Sequence, residues 1–519
     1  MNFLKDTSFV RSVKCSDAYT ESAADFSLPD YLSDVRRILF TEASICPSGR
    51  FLGGDDVEFS GIVVYKVVYL DSEGEISSFE FSSDYDYSVK CSADGYKDSI
   101  SDTKLSAYTV RLLGPRRVSA RATIVGSVRL TEEATFSLSG SAFDSDETPE
   151  LNKRSVKIRT TSPSSVTERE YAEQIVRLEG AIADEVGVIY SAAEPMIESV
   201  VADGGEVTVK GKMKLLCSVK NSDNSPILQE KSLNIEEKIS FENYSSGMSL
   251  IPEATVTSLK TTVNADESGC EVVMNVILEL CLVGEHNLSV EVATDGYLKS
   301  CPTENSYDSF AYSELSSVSQ IKGSHNAEMT LTDVESGNVD AILFITAVPK
   351  LERVEYSLDN ITLIGEVRYS GIGVYESHEE KSYVPIKNSS PFAMNVNHSC
   401  HNTDNIHSDV KISARGAWWE INDGKINLGC NIDGNVIIYE EKSEKVLSSC
   451  NAKNDEKYDR SKATVTVYYP TDGETLFSVA KRFRTSSLKI ARDNDIAETV
   501  FSDSNPDGKL SGVKKLIIY

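Results

Sequence analysis

The 519-residue chain lacks long hydrophobic runs, paired cysteines and any segment typical of targeting. No apolar run approaches the 18 or more residues of a membrane-spanning helix, so the sequence predicts no membrane insertion. The ten cysteines show no CxxC spacing, and several lie inside apolar strand patterns, which favours reduced, buried thiols over disulfides. The first residues contain no apolar stretch of signal-peptide length, which predicts a cytoplasmic protein.

Basic residues are also scarce over most of the chain. The 80 acidic and 52 basic residues give a formal net charge of −28. Residues 463–519 contain 8 basic and 7 acidic residues, so this end carries +1 and the remaining chain carries −29. Because an acidic body repels phosphates, the sequence predicts no nucleic-acid partner.

Catalytic motifs are absent as well. The chain contains no GxxxxGK[ST], GxSxG or HExxH pattern, which predicts a non-enzymatic protein without a cofactor. One cluster has metal-like composition, with His398, Cys400, His401, His407 and Asp409. Zinc needs four ligands, commonly in paired short spacings, so a polar surface loop is the favoured interpretation and no metal is predicted.

The chain is instead rich in alternating apolar and polar residues. This alternation, with β-branched and aromatic enrichment, dominates residues 35–450 and predicts a mainly β fold of antiparallel strands. The clearest example is a hairpin, with one strand at Val57–Tyr69, turn residues at Asp71–Gly74 and a second strand at Ile76–Phe81. Two short segments, Leu28–Leu39 and Val166–Glu179, suit helices instead.

A strand pattern of this kind occurs three times, which indicates an internal repeat. Gly61, Gly211 and Gly365 each lie four residues after the first apolar position of their strand. The predicted organisation is an N-terminal segment, three β-rich domains joined by linkers, and a small C-terminal module: 1–30, 31–140 (first domain), 141–180 (linker able to hold a helix), 181–300 (second domain), 301–340 (linker), 341–450 (third domain), 451–462 (linker) and 463–519 (module).

The C-terminal module has a recognisable set of motifs. Between two short strands lie Gly473-Glu474-Thr475-Leu476, Val479-Ala480-x-x-Phe483, Asn494-Asp495-Ile496 and Leu510-x-Gly512. This arrangement resembles the LysM module, a βααβ unit that binds N-acetylglucosamine-containing glycans and, in a few cases, proteins. Glu474 stands where the family usually has Asp, and the stretch Ala497–Lys509 is longer than usual. The longer loop favours a protein ligand over a glycan.

The resemblance implies a ligand groove and a set of partner-binding residues. That set is Gly473, Glu474, Thr475, Leu476, Lys481, Arg482, Arg484, Asn494, Asp495 and Ile496. Within it, Thr475 is the predicted N-cap of the first helix and Leu476 belongs to its buried face. The three cations either compensate the helix dipole on a solvated face or form a basic patch for an acidic partner, and both interpretations stay open.

The first repeat carries a second resemblance. Glu42–Arg50, the strand ending at Tyr69 and the stretch Asp71–Glu80 resemble the SPOCS domain of endospore-coat morphogenetic proteins and clostridial LysM proteins. Three SPOCS-like domains before one LysM module imply a spore-coat scaffold in the mother-cell cytosol, at the forespore surface. They also imply docking on the coat-basement ATPase, stage IV sporulation protein A, with self-association or other coat proteins as further partners. The alternative is a peptidoglycan-binding protein of the cell wall or cortex.

Trp418 and Trp419 are adjacent in an alternating strand, so at most one of them faces a core on one side of the sheet. An exposed tryptophan can stack on a sugar or anchor a protein partner. A strand buried on both faces explains the pair equally well.

Overall fold

A computed structural model describes the chain apart from residues 1–5, 16, 53–55, 91–95, 145–146, 162–164, 183–185, 204, 221–225, 242–243, 245, 247, 332–333, 335–338, 378–379, 399–402, 454–455, 459–464, 497–508 and 511. Antiparallel strands dominate the described residues, as the alternation predicts, and the two short α-helices found there lie near the C-terminus. Neither helix has the length and apolar character needed to cross a membrane.

Three consecutive segments share one strand connectivity, and we call them the first, second and third β-units. The first contains β1 Asp6–Lys14, β2 Ala18–Ser27, β3 Val35–Leu52, β4 Asp56–Asp71, β5 Ile76–Lys90, β6 Tyr96–Gly114 and β7 Arg117–Ser137. The second contains β8 Glu150–Thr161, β9 Ser165–Glu179, β10 Gly187–Asp203, β11 Glu206–Lys220, β12 Pro226–Ser240, β13 Leu250–Asp266 and β14 Gly269–Tyr297. The third contains β15 Thr303–Thr330, β16 Ala341–Tyr356, β17 Asn360–Ser377, β18 Glu380–Asn397, β19 Ile406–Asn422 and β20 Lys425–Ala452. A single 3₁₀ turn, Ser141–Asp144, lies between the first two units.

Each β-unit contains a three-stranded meander and a second sheet built on one long strand. The meanders are β3-β4-β5, β10-β11-β12 and β16-β17-β18. In the first unit, the long strand β7 pairs with β6 on one side and with β1 and β2 on the other. In the second unit, β14 pairs with β13 on one side and with β8 and β9 on the other. In the third unit, β20 pairs with β19 on one side and with β15 on the other. Apolar residues of both sheets form one main core in each unit, because alternation directs one face of every strand inward.

The repeated glycines have a backbone explanation. Gly61, Gly211 and Gly365 each pair with a residue just before a β-bulge in the first strand of their meander. A Cβ on Gly211 would overlap the Met196 carbonyl oxygen, and one on Gly365 would overlap the Lys350 carbonyl oxygen. The bulge brings two backbones too close for a side chain, so this position requires glycine in every unit.

The hairpins predicted from the alternation are confirmed. β4 pairs with β5 across the turn at residues 72–75, where Gly74 has a φ of 90°. Each unit also contains a later hairpin, formed by β6 with β7, β13 with β14 and β19 with β20.

Both helices predicted within the β-rich part of the chain are wrong. Residues 28–34 form irregular turns before β3, and Val166–Glu179 lies in strand β9. The Glu- and Arg-rich composition of β9 suits a helix, but the strand pairs with β14 along its length and packs Tyr171 and Ile175 against the core of the second unit. Ladder hydrogen bonds and apolar burial outweigh helix propensity here. Strands β8, β9 and β15 therefore occupy the expected linkers 141–180 and 301–340.

The three β-units meet at a shared apolar cluster, which we call the central junction. Its centre is a trio of rings from equivalent strands, Phe40, Tyr190 and Phe344, with centroids 4.3–5.5 Å apart. Each ring follows a bulge in its strand. The buried members of the junction are Leu39, Phe40, Val68, Ile76, Ile189, Tyr190, Leu343, Phe344, Ile372 and Tyr383.

The C-terminal module follows the third unit. It contains β21 Thr466–Tyr468, α1 Leu476–Phe483, α2 Ser487–Asp493 and β22 Leu516–Ile518, with β21 and β22 paired antiparallel. Its core includes Tyr297 from the end of β14, so the module packs directly against the second β-unit.

Candidate binding surface on the C-terminal module

The first predicted site residues organise the start of α1. Thr475 is its N-cap, as predicted, and its hydroxyl accepts a hydrogen bond from the Ser478 amide at 3.1 Å. Leu476 is fully buried, in agreement with its predicted position on the inner face. Gly473 has a φ of 86°, which a side chain would strain, so it forms the tight turn before the helix.

Glu474 ties this turn to β21. Its carboxylate accepts hydrogen bonds from the Thr471 amide at 2.9 Å and from the Tyr468 hydroxyl at 2.8 Å. The Thr471 amide is the main cause that lowers the pKa of the Glu474 carboxyl, with Tyr468 and Arg482 contributing. Arg482 pairs with this carboxylate at 2.9 Å and lies over the Tyr468 ring.

The predicted residues after α2 connect it to β22. The Asn494 side chain donates to the carbonyl oxygens of Ile490 at 2.9 Å and Ile517 at 2.7 Å, and accepts from the Ile517 amide at 2.6 Å. Asp495 has a left-handed φ of 50°, and Ile496 packs partly buried against the module core. These three positions therefore build the module, and partner binding by them stays a prediction.

The predicted basic patch makes contacts within the chain. Lys481 pairs with Asp295 of the second β-unit at 2.6 Å, and the Arg484 guanidinium lies 3.3 Å from the ring centroid of Tyr458. With Arg482 on Glu474, all three cations have intramolecular partners. Their binding to another protein stays a prediction, but it would compete with these contacts.

The attachment of the module to the second β-unit is a feature that sequence reasoning missed. The Tyr297 hydroxyl donates to the Thr485 carbonyl oxygen at 2.6 Å, and the ring meets Phe477 edge-on at 5.2 Å. Burial raises the pKa of the Tyr297 phenol. The sequence signal for this contact is Phe477, an aromatic residue directly beside Leu476 on α1, and the structure buries it.

One face of the β21–β22 pair carries exposed apolar side chains. Val465, Val467 and Tyr469 alternate along β21 and its flanks, and each is more than half exposed, as is Tyr519 after β22. The intervening residue Tyr468 points to the module core. We call the four exposed residues the module face.

Basic groups border the module face. Lys489 donates to the Tyr519 carbonyl oxygen at 3.3 Å, and Lys514 and Lys515 are exposed just before β22. None of these lysines forms an ion pair with another described residue. An apolar surface with a cationic border suits a protein partner that is apolar and acidic.

The remaining sequence candidates lie elsewhere. His398 Nδ1 is 3.1 Å from the Ser317 hydroxyl, the His407 ring stacks on Tyr439, and Asp409 pairs with Arg129 at 2.8 Å. Cys400 and His401 lie outside the described residues, as do residues 497–508 of the enlarged loop. Among the residues that are described, no three His, Cys, Asp or Glu side chains are grouped to hold a metal ion.

Comparisons with known proteins identify no relative. No family model matches the chain, and no curated protein and no solved structure matches it significantly.

Proposed function

We propose that this protein is a non-enzymatic scaffold that attaches to an acidic protein through the module face. The observation that carries the proposal is the row of exposed apolar side chains at Val465, Val467 and Tyr469, beside lysines that form no ion pair with any described residue. Aromatic and aliphatic anchors at the centre of a polar border are typical of protein-binding surfaces.

The motifs suggest the setting of this scaffold. The resemblance to SPOCS and LysM domains supports a spore-coat morphogenetic role at the forespore surface, with the coat-basement ATPase as the partner of the module. The three β-units, joined at the central junction, would present further surfaces to coat proteins or to other copies of the chain. Several weak contacts on one body raise the effective concentration of each, which favours stable encasement.

The internal contacts of the module change which residues are expected to bind. Lys481 joins the module to Asp295, so its role in this proposal is to orient the module on the second β-unit. The binding energy would come from Val467 and Tyr469, with Lys514 and Lys515 guiding an acidic partner through long-range attraction.

The test is a titration of the full-length protein against immobilised, purified coat-basement ATPase. Substitution Val467→Glu places a charge in the apolar contact and should weaken binding at least about tenfold. Lys514→Glu with Lys515→Glu should slow association, with an effect that shrinks as salt rises. Glu456→Lys, a charge reversal at an exposed residue outside the module face, is the control and should leave the apolar contact at Val467 unchanged.

Two results would overturn the proposal. Binding to the ATPase that is unaffected by Val467→Glu would move the contact away from the module face. Binding to peptidoglycan fragments alone, tested in parallel with the same variants, would favour a cell-wall role instead.

A further inference from the structure

A second surface, on the third β-unit, has the composition of a saccharide site. At the outer face of its long-strand sheet, Trp418 is 45% exposed and borders a shallow cavity of about 300 Å³. Asn326, Glu328 and Asn427 line the same cavity. We propose that this surface, the Trp418 platform, binds an uncharged pyranose of a glycan. The proposal is independent of the module face.

The backbone presents Trp418 outward by a specific irregularity. The register between β19 and β20 shifts between Arg415 and Trp418, at Gly416, which has a φ of 58°. After this bulge Trp419 packs against the core of the third unit, while Trp418 lies on the outer face. Bulges re-aim side chains in this way next to functional sites.

The opposite strand makes room for the indole. Trp418 pairs with Gly429 of β20, and a Cβ on that glycine would overlap the indole atoms Nε1, Cε2 and Cζ2. The indole therefore occupies the space that a side chain at Gly429 would fill, beside Asn326 on β15, which also pairs with Gly429. The exposed part of the ring is available for stacking.

Polar groups beside the ring are free for a ligand. The amides of Asn326 and Asn427 have no hydrogen-bond partner among the described residues, and the Trp418 Nε1–H has none there either. Glu328 pairs with Lys425 at 2.8 Å, which leaves a carboxylate and an ammonium at the cavity edge.

This combination fits a sugar better than a peptide. A pyranose has an apolar C–H face for the indole and hydroxyl groups for amides and carboxylates. The volume lies at the small end of ligand sites, which suits one or two sugar rings. Glu420, which is exposed two residues after Trp418 in the same strand, makes the surface unfavourable for an acidic peptide.

A contact from the second β-unit holds the platform in place. Glu194 Oε2 accepts a hydrogen bond from the Gly416 amide at 3.0 Å, at the bulge that aims Trp418. We assign Glu194 as a positioning residue, since it acts on the ligand through the bulge.

The test is a fluorescence titration of the full-length protein with N,N′-diacetylchitobiose, maltose and, as an acyclic control, sorbitol. The chain has two tryptophans, so Trp419→Phe leaves Trp418 as the single reporter. We expect at least one disaccharide to change its emission with a dissociation constant in the roughly millimolar range, and sorbitol to have no effect.

Variants connect the signal to the site, with binding to the otherwise unmodified protein followed by calorimetry. Trp418→Ala should weaken binding at least about tenfold, and Asn427→Ala about threefold. Glu194→Ala should weaken binding at a temperature at which circular dichroism shows the variant to be fully folded, and Glu194→Gln, which keeps an acceptor oxygen, should restore it.

The proposal fails if neither disaccharide changes Trp418 emission, or if Trp418→Ala leaves the affinity unchanged. Self-association that Trp418→Ala abolishes, without any saccharide effect, would reassign the platform to a protein contact.

Discussion

The second β-unit and the third share their strand connectivity but differ in the residues that they place at the central junction. Phe344 pairs with Ile372 in the third unit, as Phe40 pairs with Val68 in the first. The equivalent partner of Tyr190 in the second unit is Ser218, which is fully buried and has no side-chain hydrogen-bond partner among the described residues. The second unit therefore contributes less apolar surface to the shared cluster.

The unit cores differ in the same way. At one equivalent position the third unit has Tyr369, whose hydroxyl lies 2.8 Å from His325 Nδ1, and the second unit has Leu215. Both arrangements fit a core, because a buried polar group is tolerated when it has a partner and a buried apolar group needs none. The comparison shows that the repeat preserves backbone geometry, with its bulges and glycines, more strictly than side-chain chemistry.

The largest expected effect on stability comes from removing the ring that the third unit contributes to the central junction. Phe344→Ala should lower the free energy of unfolding by about 4 kcal/mol, because it deletes a buried ring between Phe40 and Tyr190. Urea unfolding monitored by circular dichroism measures this loss. Phe51→Ala, at a largely exposed ring, is the control and should cost less than about 1 kcal/mol. Equal costs would show that the rings do not hold the units together.

A smaller loss of stability is expected at the glycine that all three units share. Gly365→Ala should destabilise by about 2–3 kcal/mol, because the added Cβ meets the Lys350 carbonyl oxygen and the Phe392 ring. Gly114→Ala provides the comparison, since the space around Gly114 is open. Thermal unfolding of the two variants measures the difference, and a tolerant Gly365→Ala would contradict the close backbone approach.

The polar residue that distinguishes the second unit at the central junction, Ser218, can be replaced by an apolar one. Ser218→Val gives the second unit the valine that the first unit has at the equivalent position, Val68. The Ser218→Val variant should be about 1 kcal/mol more stable than the Ser218→Thr variant. Valine and threonine have the same shape, so this pair isolates the cost of burying a hydroxyl without a partner. Urea midpoints measure it, and equal stability would mean that the hydroxyl finds a partner after all.

The smallest effect concerns charge at the seam between the first and second units. Burial raises the pKa of the Glu42 carboxyl above its ordinary 4.5, against the attraction of Lys66. The equivalent residues are Ala192 and Thr346, which do not titrate. The folded protein thus holds this proton more tightly than the unfolded chain, so stability falls as pH rises from the ordinary value through the raised one.

Glu42→Gln removes this dependence and still offers an oxygen to the Tyr190 hydroxyl, which contacts Glu42 at 3.4 Å. The gain in stability over the parent protein should grow as the pH rises above the ordinary pKa of 4.5 and level off once the pH has passed the raised pKa. Urea titrations across this range measure the gain, and a constant difference would refute the pKa shift.

The sequence predicted the local features of this protein more successfully than its contacts. Val57–Tyr69 and its turn specify a hairpin through alternation and glycine, and Thr475 specifies a helix start through its hydroxyl. Val166–Glu179 misled because its local composition suits a helix, while β14 supplies the hydrogen bonds that make it a strand. Lys481 was visible as a cation, but its partner Asp295 is 186 residues away in the sequence.

The sequence by itself determined the β-rich class, the three copies of the glycine-bearing strand and the capped start of the last module, because these depend on neighbouring residues and short-range sterics. Only the tertiary structure decided that Phe40, Tyr190 and Phe344 meet, that Tyr297 holds the module, and that Trp418 faces outward while Trp419 faces inward. Those outcomes depend on which distant strands pair and where a bulge shifts their register, and a one-residue shift changes the face on which every following side chain lies.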